Sequence, residues 1–389
     1  MKKYTVLIIF FLSAIFTNAQ DKIVRTTQNA DERFEEFSEL LQGKRIALLA
    51  NQTAVIKGKH LLDILLENNV NVVKIFSPEH GFRGKSDAGK NIKNDVDKKT
   101  KLPIISLYGN KKKPSADDLK NVDIILYDIQ DVGVRFFTYI STLTYAMEAC
   151  AENDKQLIIL DRQNPNGSYV DGPVLDLKYK SFVGMHPVPV VYGMTVGEYA
   201  TMVNGENWLA NNLKCKLIVV PILNYSRKKT FSLNEPPSPN LNSDFAVALY
   251  PSLCLFEGTN ISVGRGTKMP FTIYGHPQLL GGDYYYTPKS IKNMSVNPPH
   301  KNQKCRGYNL NSLEYINLFQ FNLEYIINAY KYYPEKNNFF NNFFNNLAGN
   351  DILKQQIMSG KPIAEIRESW KKDLEKFVEI RKKYLLYAE

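Results

Sequence analysis

The chain has 389 residues, of which 44% are hydrophobic and 23% are charged. This composition is typical of a globular protein with room for two domains, and an aromatic content of 12% excludes global disorder. The formal charge of +10 would suit an anionic partner, either nucleic acid or an acidic polymer of the cell envelope. Solvated surface lysines are the simpler explanation for most of that charge.

The first 19 residues have the three parts of a secretory signal peptide. Residues 2–3 are lysines, 6–16 form an apolar run and 17–19 form a small-residue cleavage site. The apolar run is too short to span a membrane comfortably. We therefore expect cleavage after Ala19, a lead-in at 20–40 and a secreted or periplasmic protein without membrane insertion. Export disfavours nucleic acid as a partner and favours an anionic polymer or an acidic sugar.

The cysteines give no sign of a metal site or a disulfide framework. Four of them are scattered through the chain without a CxxC pair, at Cys150, Cys215, Cys254 and Cys305. Disulfide scaffolds are small and cysteine-dense, and this chain is neither. We expect buried free thiols, although export would permit one disulfide.

Between about 45 and 220, short apolar runs alternate with helical stretches. Unbroken apolar runs are typical of strands buried on both faces of a parallel sheet. The predicted strands are 45–50, 71–76, 103–108, 122–128, 156–161 and 216–222, and the predicted helices are 59–69, 138–153 and 195–212. This rhythm indicates an open α/β sheet. No GxGxxG follows the first strand, so no dinucleotide cofactor is predicted.

The character of the chain changes in its second half. Residues 230–283 are rich in loops and glycine, and 284–389 are rich in Tyr, Asn and Lys and end in an amphipathic helix at about 362–384. We predict a boundary within 225–280 and a smaller α+β C-terminal domain.

Polar side chains follow all but one of the first five predicted strands. They include Asn51, Glu79 with His80, Asp128 with Asp131, and Arg162 with Asn164. Open α/β sheets bind ligands at the carboxyl ends of their strands, so these residues predict a site at that edge. Chance alignment of polar loop residues is the alternative.

Two kinds of chemistry suit these residues. Most glycosidases need two carboxylates, and the local supply is Glu79, Asp128, Asp131, Glu148, Asp161 and Asp171. Alternatively, His80 with nearby carboxylates would suit a divalent ion in a metal-dependent hydrolase, but none of the five histidines has i, i+4 spacing. A Ser-His-Asp hydrolase is disfavoured because there is no GxSxG motif.

Several long motifs occur together and in order, including "NQTAV", "SPEHGFRG", "YDIQDVGVRFFTYISTLTYAMEA", "PPSPN" and "YPSLCLFEGTNISVGRGT". Over about 35–387 the chain resembles the exo-β-N-acetylmuramidases of the NamZ type. The resemblance implies a Rossmann-like catalytic domain at 41–225 and a smaller domain at 226–389 that borders the cleft. It also implies release of N-acetylmuramic acid from the non-reducing end of peptidoglycan fragments, without a cofactor.

The resemblance places the catalytic carboxylates at Glu79 and Glu148, with Asp171 and Asp128 as alternatives for the second. Helical periodicity alone puts Glu148 at the exposed edge of its helix. The lactyl carboxylate of muramic acid needs an arginine or a nest of N–H groups. The substrate-binding candidates are Asn51, His80, Arg83, Asp128, Asp131, Arg135, Tyr139, Arg162, Asn164, Asp171, Asn240, Glu257, Asn260 and Arg265.

The chain departs from the family pattern at two positions. Relatives usually have "VEGP" where this chain has "VDGP", which shortens the carboxylate at Asp171. Relatives often have "HGMT", and here Tyr192 replaces that histidine. These departures keep a third hypothesis open, a non-catalytic peptidoglycan-binding protein with the fold of the enzymes.

Overall fold

The computed structural model of the protein describes residues 26–83 and 94–389. The predicted signal peptide at 1–19 lies outside the described residues, as does Gly84 at the end of "SPEHGFRG". The strands are β1 (Ile46–Ala50), β2 (Val55–Ile56), β3 (Lys59–His60), β4 (Val72–Ser77), β5 (Asp95–Val96), β6 (Pro103–Ser106), β7 (Ile124–Asp128), β8 (Gln156–Leu160), β9 (Lys216–Val220), β10 (Ile273–His276), β11 (Tyr284–Tyr286) and β12 (Cys305–Asn309). The α-helices are α1 (Phe34–Leu41), α2 (Leu61–Glu67), α3 (Ala116–Leu119), α4 (Tyr139–Glu152), α5 (Val196–Gly205), α6 (Asp244–Leu253), α7 (Glu324–Tyr332), α8 (Phe344–Ala348), α9 (Ile352–Met358) and α10 (Ile363–Lys382).

The main sheet has seven strands in the order β5-β6-β4-β1-β7-β8-β9. All neighbours pair in parallel except the edge strand β5, which runs antiparallel to β6. The six apolar runs of the sequence are the six parallel strands, so the predicted α/β fold with a mostly parallel sheet is confirmed.

Strand β1 shows why its sequence has no polar alternation. Ala47 and Leu49 face one core with helices α4 and α5, whereas Ile46 and Leu48 face a second core with α1 and α2. Every residue of β1 is buried. Because both faces are covered, apolar residues are required at every position of the strand.

The C-terminal region adds a three-stranded sheet in the order β10-β12-β11 and helices α6 to α10. Its apolar side chains, such as Phe256 and Leu347, belong to the same core as α4 and α5. The end of the chain also returns to the large sheet, because the Tyr387 hydroxyl donates to Asp161 Oδ2 at 2.6 Å. The C-terminal region therefore packs against the part of the chain that forms the main sheet.

No helix in the described part of the chain is long and apolar enough to cross a membrane. The four cysteines are buried and carry free thiols, as expected.

Candidate active site

A cavity of about 740 Å³ lies at the carboxyl edge of the main sheet. Its wall on the sheet side follows β4, β6 and β7, and its other wall comes from the C-terminal region. Polar and charged side chains from both regions converge in it, namely Glu79, His80, Tyr108, Thr138, Ser238, Glu257, Arg265, Ser295 and Asn297. The cavity is thus completed only when the two regions pack together.

Glu79 reaches the cavity because the chain reverses directly after β4. The N–H of Gly81 donates to the carbonyl of Pro78 at 3.1 Å, which closes a tight turn. His80 has φ 69° and Gly81 has φ 79°, both in the left-handed region. A histidine rarely adopts that conformation, so the turn is held by its surroundings rather than by local preference.

Two hydroxyl groups contact the Glu79 carboxylate. Thr138 Oγ1, at the start of α4, donates to Glu79 Oε2 at 2.8 Å. The Tyr108 phenol, two residues after β6, also forms a hydrogen bond with Glu79. Burial, followed by the negative charge of Glu79, raises the pKa of Tyr108 well above its ordinary value. Tyr108 therefore stays protonated and acts as the donor.

Tyr108 was missed by sequence reasoning because the strand was predicted to run to residue 108. The strand ends at Ser106, so Tyr108 is a residue of the loop at its carboxyl end. The strand-end rule that identified Glu79 would have identified Tyr108 if the boundary had been placed two residues earlier.

On the opposite wall, Glu257 and Arg265 form an ion pair. The Nε and Nη2 atoms of Arg265 each lie 2.6 Å from Glu257 Oε1. The guanidinium also lies 5.1 Å from the centre of the Phe271 ring. Within the described part of the chain, Nη1 of Arg265 has no hydrogen-bond partner. Because Arg265 lines the cavity, its guanidinium is placed to receive an anionic group there.

Of the residues predicted from the sequence, Glu79, His80, Glu257 and Arg265 line this cavity. The remaining candidates are absent from its lining: Asn51, Arg83, Asp128, Asp131, Arg135, Tyr139, Glu148, Arg162, Asn164, Asp171, Asn240 and Asn260. The hydrogen bonds and ion pairs of these residues show which structural contacts they make away from the cavity.

Glu148 lies on α4, well beyond the helix start that faces the cavity. It accepts hydrogen bonds from Lys113 Nζ at 3.3 Å and from the Ala210 N–H at 3.1 Å. Only 5% of Glu148 is exposed, so the expectation of a solvent-exposed edge position is wrong. The structure therefore does not bring Glu148 together with Glu79.

The polar residues after β7 and β8 form most of their hydrogen bonds and ion pairs with other buried side chains of the protein. Arg162 donates to Asp128 Oδ1 at 2.5 Å and Oδ2 at 3.0 Å, and to Asp31 at 2.7 Å. Asp161 accepts from the Thr195 hydroxyl at 2.7 Å. Burial raises the pKa of Asp31 to about 7, and the charge of Arg162 opposes this effect. These buried groups form an internal network that links β7, β8 and the N-terminal segment.

Asp131 and Asn164 support the loop that follows β7. Asp131 Oδ2 accepts from the N–H of Gly133 at 2.7 Å and from the Tyr192 hydroxyl. Asn164 donates to the Met194 carbonyl at 2.8 Å and packs against Gly133. A Cβ on Gly133 would come within 2.1 Å of the Asn164 side chain, so glycine is required there. Tyr192 thus has a defined partner in Asp131.

The crevice between β1 and β7, where the strand order reverses, is covered by the loop at 236–237. Gln52 Nε2 donates to the Pro236 carbonyl at 3.0 Å, and the Tyr139 hydroxyl donates to the Pro237 carbonyl at 2.9 Å. Asn51 is fully buried and accepts from Thr53 Oγ1 at 2.6 Å. Doubly wound sheets usually bind ligands at this crevice. Here the cavity lies instead at the ends of β4 and β6 and at the start of α4.

The other arginine candidates have partners away from the cavity. Arg135 is fully buried and donates to backbone carbonyls, including that of Leu347 at 2.8 Å. Arg83 pairs with Asp97 at 2.9 Å. Asp171 accepts from Arg367 Nη2 at 2.9 Å on both oxygens, which joins the "VDGP" segment to α10.

The two asparagine candidates of the C-terminal region hold its loops. Asn240 Nδ2 donates to the Met294 carbonyl at 2.9 Å and thereby fixes a segment of the cavity wall. Asn260 Nδ2 donates to the Asn338 carbonyl at 2.5 Å. Among residues 26–83 and 94–389, no three His, Cys, Asp or Glu side chains are grouped so that they could hold a metal ion.

The fold and the cavity together define an α/β enzyme whose site combines carboxylates with an arginine. Residues 46–244 match the family described as exo-β-N-acetylmuramidase NamZ, N-terminal, and residues 248–387 match the corresponding C-terminal family. The chain belongs to the NamZ family.

Individual relatives agree with this assignment. The peptidoglycan β-N-acetylmuramidase NamZ of Bacillus subtilis (strain 168) is 37% identical over 390 residues, which cover 95% of this chain and 93% of that protein. A solved DUF1343 family protein of Bacteroides fragilis NCTC 9343 is 48% identical with a TM-score of 0.88, and covers 94% of this chain and all of its own. A second one from that strain is 30% identical with a TM-score of 0.81, over 93% of this chain and 99% of its own.

Proposed function

We propose that this protein is an exo-acting glycosidase that releases N-acetylmuramic acid from the non-reducing end of peptidoglycan fragments. Both family matches and the Bacillus subtilis relative support this activity. The observation that carries the proposal is that one cavity contains both Glu79 and Arg265. A carboxylate for proton transfer and a cation for an anionic sugar therefore share one site.

Glu79 is the residue we assign to proton transfer at the glycosidic bond. Its carboxylate is held by Thr138 and Tyr108, so it does not have to be ordered when the substrate arrives. Breaking a glycosidic bond requires a proton on the leaving oxygen and a nucleophile at the anomeric carbon. Glu257 is the other carboxylate that lines the cavity, and it replaces Glu148 as our candidate for the second acidic group.

Arg265 is the residue we assign to recognition of the substrate's lactyl carboxylate. Two of its nitrogens contact Glu257, which orients the guanidinium and leaves Nη1 available to a substrate. This distinguishes Arg265 from Arg135, Arg162 and Arg83, whose partners lie outside the cavity. N-acetylglucosamine lacks the lactyl group, so Arg265 would select against it.

We also propose that the enzyme acts outside the cytoplasm, on fragments of the cell wall. The support is the signal-peptide pattern of the first 19 residues together with the nature of the substrate.

The test uses a synthetic disaccharide with terminal N-acetylmuramic acid, and release of the free sugar is followed by mass spectrometry. We expect Glu79→Gln to lower kcat by at least about 100-fold, because an amide cannot exchange the proton. Arg265→Met should raise KM for this substrate more than for an analogue in which the lactyl group is missing. Binding of the disaccharide by the wild type without any release would instead support a peptidoglycan-binding protein.

A further inference from the structure

The lysine triplet at 111–113 lies in the loop after β6, three residues beyond the cavity-lining Tyr108. Its outer two members are neutralised by fixed carboxylates. Lys111 pairs with Asp118. Lys113 Nζ lies 2.7 Å from Glu152 and 3.3 Å from Glu148, both on α4. Ion pairs at Lys111 and Lys113 therefore hold the loop on either side of Lys112, and Glu148 takes part in one of them.

Lys112, between these two, is oriented differently. Its Nζ lies 4.7 Å from the centre of the Phe182 ring, and it has no carboxylate partner within the described part of the chain. The face of an aromatic ring attracts a cation, so this contact holds the ammonium group in place without neutralising it. Lys112 is half-buried and remains accessible.

Phe182 is the centre of a short aromatic stack. It lies parallel to Tyr145, with ring centres 6.2 Å apart and an interplanar angle of 13°. It also contacts Tyr108 at 6.2 Å with an angle of 53°. All three rings are half-buried, and Tyr108 is the residue that bonds to Glu79. The stack therefore begins at the catalytic carboxylate and leads away from the cavity. We call Tyr108, Tyr145, Phe182 and Lys112 the aromatic ledge.

We propose that the aromatic ledge binds the leaving part of the substrate, with a sugar ring against the part of Phe182 that Tyr145 and Lys112 leave open and a carboxylate of a longer fragment at Lys112. The proposal rests on the proposed function, which places the terminal acidic sugar at Arg265. The apolar C–H face of a pyranose packs well on a half-exposed aromatic ring. Val183, directly after Phe182, lines the cavity, so a chain leaving Glu79 has a continuous surface to follow.

The same geometry explains why Lys112 matters only for longer fragments. In a disaccharide, the leaving N-acetylglucosamine has no carboxylate. In a tetrasaccharide with a second muramic acid, the leaving part contains a lactyl carboxylate. An accessible lysine–carboxylate contact contributes little, so we expect a change of about fivefold rather than a total loss.

The experiment compares kcat/KM for these two oligosaccharides in the wild type, Lys112→Gln, Lys112→Arg, Phe182→Leu and Lys304→Ala. Lys304 is the matched control, because its Nζ also lies 4.7 Å from an aromatic ring, that of Tyr285, away from the cavity lining. We expect Lys112→Gln to lower the tetrasaccharide-to-disaccharide ratio about fivefold and Lys112→Arg to restore it. Phe182→Leu should lower kcat/KM for both substrates, and Lys304→Ala should change neither.

Equilibrium binding of both oligosaccharides is measured in parallel by calorimetry, with the same ledge substitutions made in the Glu79→Gln protein. If the wild type releases no muramic acid, the proposed function fails, and the binding ratios still decide whether the ledge exists. If Lys112→Gln leaves the ratio unchanged in both assays, or Phe182→Leu binds both sugars normally, the ledge proposal is overturned.

Discussion

Asp131 offers a sharp test of whether the polar strand ends are structural, because its protonation is linked to folding. The side chain is 6% exposed, and burial raises its pKa from 3.8 to about 6 even though Tyr192 and Gly133 donate hydrogen bonds to it. Its Oδ1 atom is buried without a hydrogen-bond partner among the described residues. The folded protein thus holds a proton on Asp131 more tightly than the unfolded chain does.

The direction of the pH dependence of stability follows from the difference between the folded and unfolded pKa values of Asp131. An acid whose pKa is raised on folding contributes stability that is fully present below its unfolded pKa and is lost as the pH rises through the folded pKa. The two pKa values, 3.8 and about 6, correspond to about 3 kcal/mol, since one pKa unit is about 1.4 kcal/mol. Asp131→Asn removes the titration and keeps the shape. We therefore expect the unfolding free energy of the variant, relative to wild type, to increase by about 2 kcal/mol between pH 4 and pH 7.5, because part of the effect is already lost at pH 4.

Urea unfolding at a series of pH values measures this quantity. Asp123→Asn is the control with the opposite sign, because hydrogen bonds from Arg45 hold the pKa of Asp123 well below its ordinary value. The unfolding free energy of the Asp123→Asn variant relative to wild type should be lowest at neutral pH, where the ionised Asp123 stabilises the fold, and should recover in acid. Parallel pH curves for Asp131→Asn and wild type would refute the reasoning, and a large loss of activity with normal stability would return Asp131 to the substrate-binding candidates.

Three further substitutions test other parts of the structure. Tyr108→Phe removes a donor to Glu79 and should lower kcat/KM about tenfold without lowering the melting temperature, as measured by muramic acid release and by thermal unfolding. Glu148→Gln should keep kcat within about threefold, whereas a catalytic carboxylate would lose about 100-fold or more. Arg367→Met leaves Asp171 without its cation and should cost about 2 kcal/mol in urea unfolding, less than for a fully buried pair because Arg367 is half-exposed. An unchanged unfolding midpoint for Arg367→Met would show that this ion pair does not stabilise the packing of α10.

The sequence by itself determined the sheet and the position of Glu79. Strand β1 and its neighbours are recognisable because a strand covered on both faces must be apolar throughout, which is a local property. Glu79 is recognisable because it follows such a strand at a Pro–Gly turn, where ligands of α/β sheets bind. The family motifs then added the expected chemistry.

Only the tertiary structure decided which polar residues share a cavity. Asp128 and Arg162 look like site residues in sequence, but they neutralise each other across neighbouring strands. Glu257 comes from a region 178 positions after Glu79, and no local pattern brings the two together. Burying a charge requires a partner, and partners that are distant in sequence become visible only when the chain is folded. For that reason the strands could be predicted from periodicity, whereas the second carboxylate and the aromatic ledge could not.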